Sequence, residues 1–209
     1  MRTELSRNRV TLGAWCLGAA IVLSGTAAAQ TTQGRGQTTP RPAPDIPTTA
    51  AGPQNPMAAG AKTQFAVVSD FVIRAANKVP ENLYTFRATP EVRTFAELFG
   101  HVADAFFNMC ATADGAKSPH GAIEKVVTRK ADLVKALTDG AAYCTDVMTK
   151  MDDKRGAEPV QFYFGPTPRN SVLYFATAHA YEHYGNMVTY MRLNKIVPPS
   201  SEAGTPPRP

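Results

Sequence analysis

The chain is poor in the residues that most often do chemistry. Of its 209 residues only four are histidine and three cysteine. It has no apolar run of the roughly 20 residues a membrane-spanning helix needs. No segment shows convincing strand alternation, and no internal repeat is visible. The basic residues are dispersed rather than gathered into a stripe interleaved with aromatics, which argues against a nucleic-acid surface. The formal charge of +5 falls further if the N-terminal leader is removed. Losing Arg2, Arg7, Arg9 and Glu4 takes away two net positive charges and leaves +3.

That leader has the order of an export signal: a basic start with Arg2, Arg7 and Arg9, an apolar run Val10 to Gly25, then Ala27-Ala28-Ala29. An uncleaved anchor is the alternative, although the run is short for one. Trp15 is too bulky for the position before a lipidated Cys16, and Arg7-Asn8-Arg9 is not a twin-arginine pair. Residues 1–29 therefore read as a signal peptide, and the expected location is periplasmic or secreted. Residues 30–56 are rich in Thr, Pro, Gly and Gln and cannot bury enough surface to offset the entropy of ordering them, so a disordered tether is expected. Residues 201–209 read as a flexible tail. Residues 57–200 are left for one folded domain.

Four segments there carry helical periodicity. The first, about 57 to 78, repeats Phe65, Val68, Phe71 or Val72, and Ala75, and ends before Pro80. The second begins at Thr94, where Thr94 and Glu97 make a capping-box pattern, and Asp114-Gly115 stops it. Its stripe is Leu98, His101, Val102, Ala105, Phe106 and Met109. The third runs from about 128 to 151 through Leu133, Leu137, Ala141 and Cys144, weakened locally by Gly140. Residues 119–127 before it could form a separate short turn of helix. The fourth has Thr167 as cap and Pro168 at the first helical position, and continues to about Asn194. Four such helices make an all-α fold, a four-helix bundle.

Two cysteines, Cys110 and Cys144, remain after the leader. In an oxidising compartment an even count favours a disulfide; two separate buried thiols are the alternative. Three of the four histidines fall on inward faces. His179 and His183, four residues apart, lie one above the other on one side of a helix, so both imidazoles can converge on one ion. His101, on another helix, offers the third ligand that a metal site requires. Satisfied core histidines are the competing reading, and spacing alone does not choose between them. The segment His179-Ala180-Tyr181-Glu182-His183 is not the zinc-protease pattern, because Glu182 points about 100° away from His183. Glu97, one turn before His101, could be a fourth ligand or a partner that orients an imidazole, but the reading preferred is that it serves only the helix start. His120, after Pro119, reads as exposed and uninvolved.

The stretches Phe95-Ala96-Glu97-Leu98-Phe99-Gly100-His101-Val102-Ala103-Asp104 and His179-Ala180-Tyr181-Glu182-His183-Tyr184-Gly185-Asn186 resemble the DinB-like superfamily of metalloenzymes. The resemblance extends over about residues 65–200. It implies an up-down-down-up bundle, often dimeric, with a divalent transition metal (Zn, Ni, Mn or Fe) held by His101, His179 and His183. It also implies close helix approach at Gly185. Family members of known activity include thiol-dependent transferases and a metal-dependent isomerase of a thiol conjugate. The exported leader departs from that cytosolic setting. The expectation is a metal-dependent hydrolase or transferase acting on a small molecule. The alternative is a non-catalytic binding or stress-associated module with a structural or absent metal. The expected partners are a small-molecule substrate and a second copy of the chain, with no nucleic acid and no stable membrane span after cleavage.

Overall fold

The computed structural model describes residues 54–202. The expected signal peptide, nearly all of the tether and most of the tail lie outside the described residues. Four long helices dominate: α1 (Pro56–Lys78), α2 (Phe95–Asp114), α4 (Lys130–Thr149) and α6 (Arg169–Leu193). Two one-turn helices, α3 (Ile123–Val126) and α5 (Asp153–Gly156), and a hairpin of β1 (Pro159–Phe162) and β2 (Gly165–Pro168) fill the connections.

Contacts between named residues fix the direction of each long helix. The start of α2 packs near the end of α1, where the Tyr84 hydroxyl donates to Ala76 O at 2.8 Å and Ala96 N–H donates to Tyr84 O at 2.9 Å. Lys130, at the start of α4, donates to Asn77 O and Val79 O at the end of α1. Gly140 of α4 faces Phe106 of α2, and one turn on Cys144 is bonded to Cys110, so these two helices run parallel. Tyr174 of α6 donates to Met57 O at the start of α1, and Tyr184 stacks on Phe71 further along, so α6 runs with α1. The result is the up-down-down-up bundle. Each of α1 and α2 packs against both α4 and α6.

The core follows the apolar stripes. Phe65, Val68, Phe71, Val72 and Ala75 of α1 are all buried, as are Leu98, Val102, Ala105, Phe106 and Met109 of α2. Phe65 and Phe106 meet edge to face across the centre, 5.0 Å between ring centroids. Thr94 and Glu97 form the capping box, and Gly115, at φ 80°, closes α2. Gly140 costs helix propensity for a packing reason: a Cβ there would lie 3.2 Å from Phe106 Cβ and 3.3 Å from Phe107 Cε2. The Cys110–Cys144 disulfide, Cα atoms 5.2 Å apart and fully buried, ties α2 to α4 beside this contact.

Three local expectations need correction. The hairpin, with Pro159 paired to Pro168 and Phe162 to Gly165, occupies a stretch that shows no strand signal. Thr167 is therefore a strand residue whose hydroxyl donates to Gly165 O, and it does not cap α6, which begins after Pro168. At Gly185 an added Cβ would meet nothing within 4 Å, so among the described residues no other helix approaches there.

Candidate metal centre

His101 projects from the middle of α2, and His179 and His183 from successive turns of the antiparallel α6. Their Nε2 atoms converge: His101 to His179 at 3.2 Å and His183 to His179 at 3.1 Å. All three ligand atoms lie within 4.8 Å of one another. A four-coordinate site with metal–nitrogen bonds of about 2.0–2.1 Å sets neighbouring donors about 3.3 Å apart, so this spacing fits a shared ion. No other such cluster occurs among the described residues.

The protonation chemistry fits as well. Burial, then the neighbouring His183 and His101, push His179 down to about 4. Burial, His101 and Arg93 do the same to His183, also to about 4. Both rings are held neutral at ordinary pH, the form that ligates a metal. His101 Nδ1 lies 2.8 Å from Glu124 Oε2. With its Nδ1–H given to that carboxylate, the Nε2 lone pair is directed toward the other two rings. Asn186 Nδ2 lies 3.5 Å from His183 Nδ1. His179 Nδ1 is buried without a partner among the described residues.

Glu124 is the residue that sequence reasoning missed. It sits on the single turn of α3, where Asp104 of α2 accepts the Ile123 and Glu124 N–H groups at 3.0 and 2.9 Å. Arg93 Nε donates to the other carboxylate oxygen at 2.7 Å. Burial opposes its charge, but the Arg93 and His101 hydrogen bonds outweigh it and hold the carboxyl below its usual range. The close approach of α3 depends on Gly100: a Cβ there would stand 2.6 Å from Glu124 Cα and 3.0 Å from Glu124 N. A glycine directly before an inward histidine was the available signal.

Glu97 is placed otherwise than a ligand partner would be. Its carboxylate accepts from Thr94 N at 2.6 Å and from the Thr94 hydroxyl at 2.8 Å, serving the helix start. His120 is exposed and packs at a tilt against Phe107, 4.5 Å between centroids, and is not one of the three converging rings. A cleft of about 470 Å³ opens on His101 and His179 and is lined further by Ala105, Asn108, Met109, Tyr163 and Phe175, together with the charged Asp104 and Lys125.

Comparison with known proteins places this arrangement. No curated protein matches the chain. Among solved structures, a DinB-like protein from Bacillus cereus ATCC 10987 superposes with a TM-score of 0.59 at 16% identity, covering 68% of this chain and 95% of that one. A DinB-like protein from Bacillus subtilis gives 0.55 at 15% identity, with coverage of 71% and 96%. A mycothiol-dependent maleylpyruvate isomerase gives 0.52 at 14% identity, and there the match spans 62% of this chain and 60% of the isomerase. These likenesses show a shared fold. The sequence profile of the DinB superfamily matches residues 64–187, from the middle of α1 to the turn beyond His183. This chain belongs to the DinB superfamily.

Proposed function

We propose that the protein binds one divalent transition metal through His101, His179 and His183 and uses it in hydrolysis or group transfer on a small molecule. The observation that carries this reading is the convergence of three Nε2 atoms at 3.1–3.2 Å in a chain with only four histidines. A metal so held supplies Lewis acidity and lowers the pKa of a coordinated water. The protein's part is to keep two imidazoles neutral by burial and to fix the third through Glu124. A purely structural metal would be sealed by apolar side chains. Here the cleft reaches His101 and His179, which favours catalysis over the structural reading.

The leader supports export to the periplasm or beyond, and a buried disulfide is in keeping with an oxidising compartment. A thiol-dependent reaction of the kind named for the maleylpyruvate isomerase is less favoured there, because low-molecular-weight thiols are scarcer outside the cytoplasm. Metal analysis of purified protein tests the central claim. About one equivalent of Zn, Ni, Mn or Fe is expected in the wild type and none in a His179→Ala, His183→Ala double variant. Wild-type protein that holds no metal, and whose melting temperature does not respond to added metal, overturns it.

A further inference from the structure

The cleft beside the histidines has a graded lining. From His101 along α2, Ala105 and Met109 follow at one and two turns on the same face. From His179 along the antiparallel α6, Phe175 lies one turn back, which is the same direction in space. Four residues of helix advance about 6 Å, so the first apolar side chains stand about 6 Å from the ligand atoms along the axis and Met109 about 12 Å. That is the length of a metal-binding head followed by one or two rings.

The hairpin completes the wall. Phe162 and Phe164 both pack edge-on to Phe175, at 5.4 and 5.9 Å, and Phe175 lies nearly parallel to the His179 ring at 6.4 Å. Between those two, Tyr163 reaches the cleft while remaining 70% exposed, and Phe164 is 77% exposed. Two adjacent aromatic rings so open to water form an apolar surface of the kind that marks a ligand-binding groove. Tyr163 also lines a second cleft of about 220 Å³ with Asn108, Met109 and Gln161, and Asn108, Met109 and Tyr163 line both clefts. Neither the fold of the bundle nor the three ligands requires an aromatic at this tip.

We infer that this cleft takes a small molecule with a flat apolar body joined to a metal-coordinating head, the body lying between Phe175 and Tyr163 above Ala105 and Met109. The inference rests on the metal reading above. It makes the hairpin a specificity element and Tyr163 a substrate-contacting residue. Stacking against two rings selects planar bodies over short aliphatic ones, because ring faces gain most from extended apolar contact.

The test compares two probes with the same coordinating head, benzohydroxamate and acetohydroxamate, titrated into zinc-loaded protein. The expected result is about tenfold tighter binding of benzohydroxamate, equivalent to about 1.4 kcal/mol. Tyr163→Ala should cut that preference to about threefold or less while leaving acetohydroxamate affinity unchanged. Tyr163 is exposed, so this variant is expected to keep the wild-type melting temperature. Leu193→Ala, 60% exposed at the far end of α6, should leave the preference at the wild-type value. Equal affinity for the two probes, or a preference that survives Tyr163→Ala, overturns the inference and leaves the metal site standing. Zinc-loaded protein that binds neither probe likewise overturns the inference alone, whereas protein that cannot be loaded with zinc overturns the metal reading as well.

Discussion

Replacing Gly100 by alanine should disable the metal centre without touching a ligand. The added Cβ would stand 2.6 Å from Glu124 Cα, against at least about 3.4 Å for an ordinary contact. The obstructing atoms are backbone, so α3 must withdraw by about 0.8 Å rather than swing a side chain aside. If the whole retreat falls along the hydrogen bond, Glu124 Oε2 moves from 2.8 Å to about 3.6 Å from His101 Nδ1. At that distance the bond no longer holds the imidazole or its tautomer. Loss of such an outer partner typically costs about 10–100-fold in metal affinity. Overpacking costs about 1–3 kcal/mol and the gain in helix propensity returns about 1 kcal/mol, so the bundle itself should survive. The assay is zinc affinity by chelator competition, with far-UV circular dichroism to check the helices. Glu124→Gln, which removes the charge and leaves the packing, should show a loss of the same order. Wild-type affinity in folded Gly100→Ala would refute the claim that the approach of α3 matters to the site.

The histidines also predict how metal-free protein responds to acid. His179 and His183 have folded values of about 4 against an ordinary 6.5, so both states are neutral above about pH 6.5. Between 6.5 and 4 the unfolded chain takes up protons first, and stability falls with pH until it levels off below about 4. Urea midpoints of the metal-free protein at three pH values in that window should show this, and the same slope in the His179→Ala, His183→Ala variant would contradict it. Cys110→Ser with Cys144→Ser should lower stability by about 2–4 kcal/mol, since the bond closes a sequence separation of 34. Thermal melts of the oxidised wild type and the double variant measure it, and equal melting temperatures would count against a stabilising bond.

The long helices were legible because each carries a 3.6-residue stripe and a recognisable stop. Thr94 with Glu97 even placed the first turn of α2. The three histidines were legible for the same reason, since inward position is a property of the stripe. The hairpin was not. Each strand has four residues, and Pro159, Pro166 and Pro168 erase the alternation that marks longer strands. Glu124 was hidden differently. It reaches His101 across a sequence gap of 23 residues, through a turn held by Asp104 and admitted by Gly100. No local pattern encodes a contact of that kind. Glu97 shares the helical spacing of a ligand partner, but the capping-box pattern in the sequence already pointed to the helix start, where Thr94 engages its carboxylate.

The three histidines also come from distant parts of the chain, with His101 and His179 separated by 78 positions. Only the pair on α6 exists before the bundle closes, and two imidazoles on a fraying helix hold an ion weakly. On the proposed metal reading, selective loading would therefore follow the closing of the bundle. A chain threaded through a membrane in extended form carries no cargo with it. On the proposed reading of an exported metalloprotein, the ion would be drawn from the supply outside the cytoplasm, where α2 and α6 first meet.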